Sequence, residues 1–406
     1  MMVKAATVSA FTRPRTDTPV PWLGGLTPAQ FMKRHWQKKP LLVRNAFKDF
    51  KAPVSIQEVL DLCRRDDVQS RLVRTDRKGK WRLEHGPFET PLPSMDTPRW
   101  TVLVQQVNTL LPNADRFLDA FRFIAEARLD DLMISVAGPE GGIGAHTDSY
   151  DVFLIQANGQ RRWEIAADFD EALTPDVPLK ILKRFKAEQT WVLNAGDLLY
   201  LPPNVAHRGT AVGPACMTWS VGFRAPGKTL LADEVWARHL ETLGERQWSD
   251  PWLQATNNPA QIPEKLLKTL TDEVSRGLPT RACIVESVAC VLSQPAPMAV
   301  FKRPRRPLTE QSFIERLGAR PGAKGAQGPK GLTLRLAPAT RILYAGDRIY
   351  ANGDPLPQLR ASSRKRLCEL ADRRELGPDR SRALASDPTA ASVLYDMVLA
   401  GWIVYH

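Results

Sequence analysis

His146–Ala166 reads HTDSYDVFLIQANGQRRWEIA, and the segments around it repeat its texture. Upstream stands Asp131–Ala137 (DLMISVA). Downstream stand Gln189–Leu193 (QTWVL), Asp197–Leu201 (DLLYL) and Cys216–Phe223 (CMTWSVGF). Each is a short run rich in β-branched and aromatic residues, and Gly, Pro or Asn punctuates the gaps. Such a series predicts short strands joined by turns, hence a β-barrel or sandwich.

The same stretch carries chemistry. Side chains alternate faces along a strand, so His146 and Asp148 point one way and Thr147 the other. A third ligand is expected from elsewhere in the barrel. His207 follows Gly196–Pro203 (GDLLYLPP), a tight turn, an apolar strand and a double-proline bend that aims a side chain back into the mouth. Two imidazoles and one carboxylate on one face, with the remaining positions open, form the donor set of non-haem Fe(II) oxygenases. The plainer alternative is a barrel that keeps these groups as core polar residues. Burying them without a metal carries a large desolvation cost.

In Gln160–Ile165 (QRRWEI), Trp163 and Ile165 face inward, which puts Arg161 inside with them and Arg162 and Glu164 outside. A buried guanidinium needs an anion. The dicarboxylate 2-oxoglutarate would supply one: its C1 carboxylate and keto oxygen chelate iron, and its C5 carboxylate pairs with Arg161. An ordinary strand-end ion pair is the alternative. On the strand Asp131–Ser135, residues Asp131, Met133 and Ser135 share a face. Ser135 is placed to donate to 2-oxoglutarate, and Asp131 suits a cationic substrate. Tyr150 has the parity of His146 and Asp148 and offers a flat wall. Ser220, on the last strand, is expected to line the same pocket. Each of these pocket residues also has a plain packing reading.

The chain has 406 residues, 43% hydrophobic and 25% charged, which suits about two to four globular domains. The most apolar window, Cys283–Phe301, contains Glu286, Pro295 and Pro297, so no membrane span is expected. The N-terminal stretch lacks a long apolar run, and a cytoplasmic location is expected. Five scattered cysteines without a CxxC pair read as inert thiols.

Three regions differ in texture. The first, residues 1–226, opens with helix-start signals at Thr27–Gln30 and Ser55–Glu58 before the strands begin. The second, 227–298, has apolar residues at helical spacing (Leu266, Leu267, Leu270, Val274) and is expected to pack on the barrel or on a second copy of itself. The third, 299–406, combines helices with a β-hairpin turning at Ala345-Gly346-Asp347, and has a Gly/Lys/Pro loop at Gly322–Gly331. It resembles a winged-helix module. It holds 19 Lys and Arg against 10 Asp and Glu, so +9 of the net charge of +12 lies there. RNA or a ribonucleoprotein is the obvious class of acidic partner, and solubility alone is the competing explanation.

HTDSYDVFLIQANGQRRWEIA, DLLYLPPNVAHRG and WSVGFRAP together resemble the bacterial JmjC-type ribosomal oxygenases. The resemblance implies an α+β chain: a double-stranded β-helix (a cupin-like jelly-roll barrel) with N-terminal helices, a helical dimerisation block and a C-terminal winged-helix-like domain. It implies an Fe(II)- and 2-oxoglutarate-dependent dioxygenase that uses O2 to hydroxylate an arginine of the large-subunit ribosomal protein uL16. It implies His146, Asp148 and His207 as iron ligands and Arg161 and Ser135 as 2-oxoglutarate contacts. Asp131, Met133 and Tyr150 resemble the arginine pocket. Ala145 departs from the family, which has proline there, and is expected to loosen the loop before the first ligand. Two alternatives stand beside this reading. One is a JmjC hydroxylase or demethylase acting on a different protein residue. The other is a non-catalytic 2-oxoglutarate sensor that binds nucleic acid.

Overall fold

The computed structural model describes residues 11–244, 249–255, 257–319 and 331–406. The Gly/Lys/Pro loop expected at 322–331 lies outside them up to residue 330. Helix α1 (Pro28–Arg34) starts at a complete capping box, in which Thr27 Oγ1 accepts from the Gln30 amide and Gln30 Oε1 accepts from the Thr27 amide. After strand β1 (Leu41–Val43), helix α2 (Ile56–Leu62) starts the same way at Ser55 and Glu58. Each N-cap contributes about 1 kcal/mol. There follow β2 (Ser70–Thr75), β3 (Trp81–His85), β4 (Trp100–Val104), α3 (Val107–Leu110), α4 (Pro112–Leu118), β5 (Leu129–Ala137), β6 (Asp151–Ala166), β7 (Gln189–Asn194), β8 (Leu198–Leu201) and β9 (Ala206–Phe223).

Among the described residues these nine strands form one antiparallel sheet in the order β1-β8-β6-β9-β5-β4-β2-β3, with β7 also on β6. The two longest, β6 and β9, pair from Asp151↔Phe223 to Ala166↔Ala206, and their register slips between Gln156 and Gln160. Such slips bend strands, and here they let one pair serve both walls of a jelly roll. Alternation along β6 sorts its side chains. Phe153 and Ile155 join the main core, where Phe153 packs on Trp22, Phe31 and Phe121. Val152 and Leu154 join a separate inner cluster with Trp163, Ile165, Leu199 and Leu201. The N-terminal helices therefore cover one face of the sheet and leave the inner face for a pocket.

Helices α5 (Lys228–Leu240), α6 (Glu264–Arg276) and α7 (Arg281–Ser293) come next. The apolar residues Leu267, Leu270 and Val274 of α6 are exposed, and none of its residues is buried. No described helix is long and apolar enough to cross a membrane. The last part holds α8 (Glu310–Gly318), β10 (Leu334–Leu336), β11 (Ile342–Ala345), β12 (Arg348–Ala351), β13 (Asp354–Pro355), α9 (Ala361–Arg373), β14 (Glu375–Leu376), α10 (Pro378–Ser381), α11 (Pro388–Leu399) and β15 (Ile403–Tyr405). It has its own core around Phe313, Leu334, Leu367 and Leu394. β11 and β12 form the expected hairpin, closed by Gly346 at φ 59° and Asp347. A second tight turn, Asn352-Gly353, carries the chain back into β13.

A buried ion cluster joins this last part to the barrel. Arg122, its side chain 8% exposed, lies 2.9 Å from Asp119 and 3.6 Å from Asp115, and also pairs with Glu126. From the C-terminal part, Arg374 reaches Glu126 at 3.6 Å and Arg335 reaches Asp115 at 3.9 Å. Burial pushes the Glu126 carboxyl up, but Arg122 and Arg374 outweigh it and bring it down to about 2. Its stabilising contribution is therefore present above pH 4.5 and lost as pH falls toward 2. Arg122→Ala leaves the buried Asp115 with only the 3.9 Å contact of Arg335 and is expected to cost about 3–5 kcal/mol of unfolding free energy in urea titrations. A loss under about 1 kcal/mol, typical of exposed pairs, would show the cluster to be solvated.

Candidate active site

His207 sits at the start of β9, and its main chain bridges to His146: the His146 amide donates to the His207 carbonyl at 3.0 Å and the reverse bond is 2.9 Å. His146 and Asp148 lie outside any regular strand, in the irregular segment that leads into β6. The alternation argument for their common direction therefore fails in its premise, and Tyr150 likewise precedes the strand. Their convergence is nevertheless met. One donor atom each from His146, Asp148 and His207 lie within 4.8 Å of one another. His207 Nε2 is 3.6 Å from Asp148 Oδ2, and the two imidazole centroids are 4.2 Å apart.

Both imidazoles are oriented from behind. His146 Nδ1 lies 3.1 Å from the Gly144 carbonyl and His207 Nδ1 lies 2.9 Å from the Val205 carbonyl. A proton on each Nδ1 satisfies these contacts and turns the Nε2 lone pairs toward the cluster, the arrangement metal-bound histidines use. Burial, then the neighbouring His146, lowers the His207 pKa to about 4, which keeps it neutral. Two imidazoles and a carboxylate fit a divalent iron. The loop before His146 is tied down: the Ala145 carbonyl accepts from the Leu182 amide at 2.8 Å, and Ala145 is buried.

The donors open into a cavity of about 280 Å³. All nine residues singled out from the sequence line it: Asp131, Met133, Ser135, His146, Asp148, Tyr150, Arg161, His207 and Ser220. Arg161 is 4% exposed and Arg162 is exposed, as alternation required. Arg161 Nη1 donates to the Gly209 carbonyl at 3.3 Å, whereas its Nε and Nη2 have no partner among the described residues. A buried guanidinium with two donors free of hydrogen bonds is suited to hold an anion. Gly209 has to be glycine here: a Cβ would stand 2.7 Å from the Trp163 ring and 3.1 Å from Arg161 Cδ.

At another part of the cavity wall, Asp131 Oδ2 accepts from the Gln106 amide at 2.8 Å. Burial, then Asp130 beside it, pushes the Asp131 carboxyl up to about 6. With its amide turned to satisfy both neighbours, Gln105 donates to Asp131 Oδ2 and accepts from Arg71 Nη2, each at 3.2 Å. Thr101, Gln105, Asp130 and Thr218 also line the cavity, and the sequence reading missed them. For Thr218 the period-two signal from Ser220 was available. Thr101 and Gln105 sit on and just after β4, whose contact with β5 is a matter of long-range pairing.

A JmjC domain family matches residues 116–231, and a ROXA-like winged helix family matches residues 324–403. The chain is 31% identical over 377 residues to the ribosomal protein uL16 3-hydroxylase of Escherichia coli (92% of this chain, 96% of that one). It is 34% identical over 217 residues to a probable ribosomal oxygenase of Haemophilus influenzae, covering 52% of each. The solved structure of YcfD, a ribosomal oxygenase from Escherichia coli, in complex with cobalt and 2-oxoglutarate superposes with TM-score 0.78 at 30% identity, covering 94% of this chain and 98% of that one. This chain belongs to the JmjC-domain ribosomal oxygenases, which are Fe(II)- and 2-oxoglutarate-dependent enzymes.

Proposed function

We propose that the enzyme hydroxylates an arginine side chain of ribosomal protein uL16, at Cβ. The observation that carries the arginine reading is the half-buried carboxylate of Asp131, held by the Gln106 amide in the wall of the cavity that also contains the triad. The relative named uL16 3-hydroxylase supports the ribosomal target.

In this reading His146, Asp148 and His207 hold Fe(II). Bound there with 2-oxoglutarate, the metal supplies O2 activation: one oxygen atom enters a substrate C–H bond, and the other leaves in succinate as CO2 is released. Arg161 pairs its free Nε and Nη2 with the C5 carboxylate of 2-oxoglutarate, and Ser135 donates its hydroxyl to the same cosubstrate. Asp131 holds the substrate guanidinium and so fixes how deep the side chain enters. Tyr150, Met133 and Ser220 form the walls beside it. Residues 1–226 carry this chemistry. Residues 227–298 make a homodimer, which the exposed apolar face of α6 supports. The basic residues 299–406 contact the ribosome or RNA, and the setting is cytoplasmic.

The test is mass spectrometry of a uL16 peptide after incubation with enzyme, Fe(II), 2-oxoglutarate and O2. The expected product is a single added oxygen on arginine. Oxygen on another residue, or loss of a methyl group, would replace the arginine reading. Asp131→Asn is expected to lower kcat/KM for the peptide about 10- to 100-fold, the worth of one charge-assisted hydrogen bond. Decarboxylation without peptide is expected to fall far less, and equal losses would refute the role.

The pH dependence follows from the same group. An acid raised to about 6 favours its neutral form in the fold. Its stabilising contribution is thus present below pH 3.8 and lost as pH rises through about 6. A bound guanidinium reverses that preference, so kcat/KM for the peptide is expected to drop as pH falls below about 6, and Asp131→Asn to remove that drop.

A further inference from the structure

Strand β5 enters the barrel irregularly. Leu129 pairs with Phe223 and Leu132 pairs with Val221, so Asp130 and Asp131 together oppose Gly222 alone. This is a β-bulge, a device that re-aims a side chain beside a site and leaves ladder groups without their usual partners. Those groups are satisfied from outside the sheet. The Leu132 amide donates to Asn108 Oδ1 at 2.9 Å. The Asp130 carbonyl accepts from Arg341 Nη2 at 3.0 Å, and Arg341 Nη1 donates to the Glu126 carbonyl at 3.3 Å.

Arg341 comes from the C-terminal part of the chain, where it precedes β11. It is 6% exposed, and its main chain is locked to the hairpin: its amide donates to Asn352 Oδ1 and its carbonyl accepts from the Asn352 amide, both at 2.9 Å. The Asp130 carboxylate is gripped from a third direction. Arg224 Nε donates to its Oδ1 at 2.9 Å, and Arg224 Nη1 donates to the Gln294 carbonyl, just after α7, at 3.1 Å. Three parts of the chain thus meet at Asp130, the residue before the pocket carboxylate. A buried arginine that bonds main-chain carbonyls is costly to hold as mere packing.

We propose that Arg341 is a positioning residue for the substrate pocket: by holding the Asp130 and Glu126 carbonyls it fixes the bulge that aims Asp131 into the cavity, which makes the C-terminal module part of substrate recognition. This rests on the assignment of Asp131 to the substrate guanidinium, so the experiment separates the two. In the full chain loaded with Co(II), uL16-peptide affinity and the KM and kcat of the iron enzyme are compared for wild type, Arg341→Ala, Asp131→Asn and Arg348→Ala. Arg348 lies on the same hairpin and pairs with Glu286 of α7, away from the bulge.

Arg341→Ala is expected to weaken peptide binding and raise KM by about tenfold or more while kcat changes by about twofold at most, because substrate aim is lost and not chemistry. Arg348→Ala is expected to leave both near wild type. Arg341→Lys, which reaches one carbonyl instead of two, is expected to fall between and is read in place of Arg341→Ala if that variant does not fold. If Asp131→Asn weakens the peptide and the Arg341 variants do not, or if they lose kcat with KM unchanged, the positioning role is wrong. If Asp131→Asn itself leaves peptide binding intact, the pocket assignment falls and the role of Arg341 falls with it.

Discussion

His207→Ala is expected to abolish metal-dependent succinate formation and to lower Co(II) affinity by more than about 100-fold, since even the outer partners of metal ligands are worth 10- to 100-fold. The loss is expected in binding, read from Co(II) absorption titrations, as well as in turnover. The fold is expected to survive. The His207 main chain remains bonded to His146 in the variant, and its ring is one of many groups in the inner wall. His146→Ala is expected to act alike. Retained iron-dependent succinate in either variant would remove that residue from the ligand set.

The second large effect has opposite signs in two measurements. Arg161→Met removes a buried charge whose Nε and Nη2 have no partner among the described residues. Without cosubstrate the variant is expected to be more stable than wild type, by about 1–3 kcal/mol in urea unfolding, because unsatisfied buried donors cost that much. With 2-oxoglutarate the order inverts. Losing a buried carboxylate–guanidinium pair costs about 3–5 kcal/mol, so affinity is expected to fall more than about 100-fold. Arg161→Lys keeps a point charge and loses the planar fork, so it is expected to fall between. A variant that gains no stability and still binds 2-oxoglutarate normally would make Arg161 an ordinary core residue.

Much of this site is legible in the sequence because its signals are local. Alternation in QRRWEI places Arg161 inside and Arg162 outside, and GDLLYLPP announces the strand and bend before His207. DVFLIQ sorts Phe153 and Ile155 from Val152 and Leu154. The same counting rule reaches a right answer for a wrong reason at His146 and Asp148, which lie off the strand: His146 is oriented by its main-chain bridge to His207 and by its Nδ1 contact with the Gly144 carbonyl. It breaks at the β5 bulge, where Asp130 and Asp131 both line the pocket although neighbours should face apart. Register slips are set by partner strands, and Asn108 and Arg341 reach the bulge from distant segments that no local pattern links. The Asn352-Gly353 turn is a different matter: its dipeptide is a strong hairpin signal, and the sequence reading passed over it.

The paired main-chain bonds between His146 and His207 have a thermodynamic corollary. The two imidazoles are spaced by the rim of the barrel itself. An ion entering such a socket spends little of its free energy on ordering the polypeptide, unlike the small zinc modules that are unfolded until loaded. Stripping the metal is therefore expected to leave the scaffold folded.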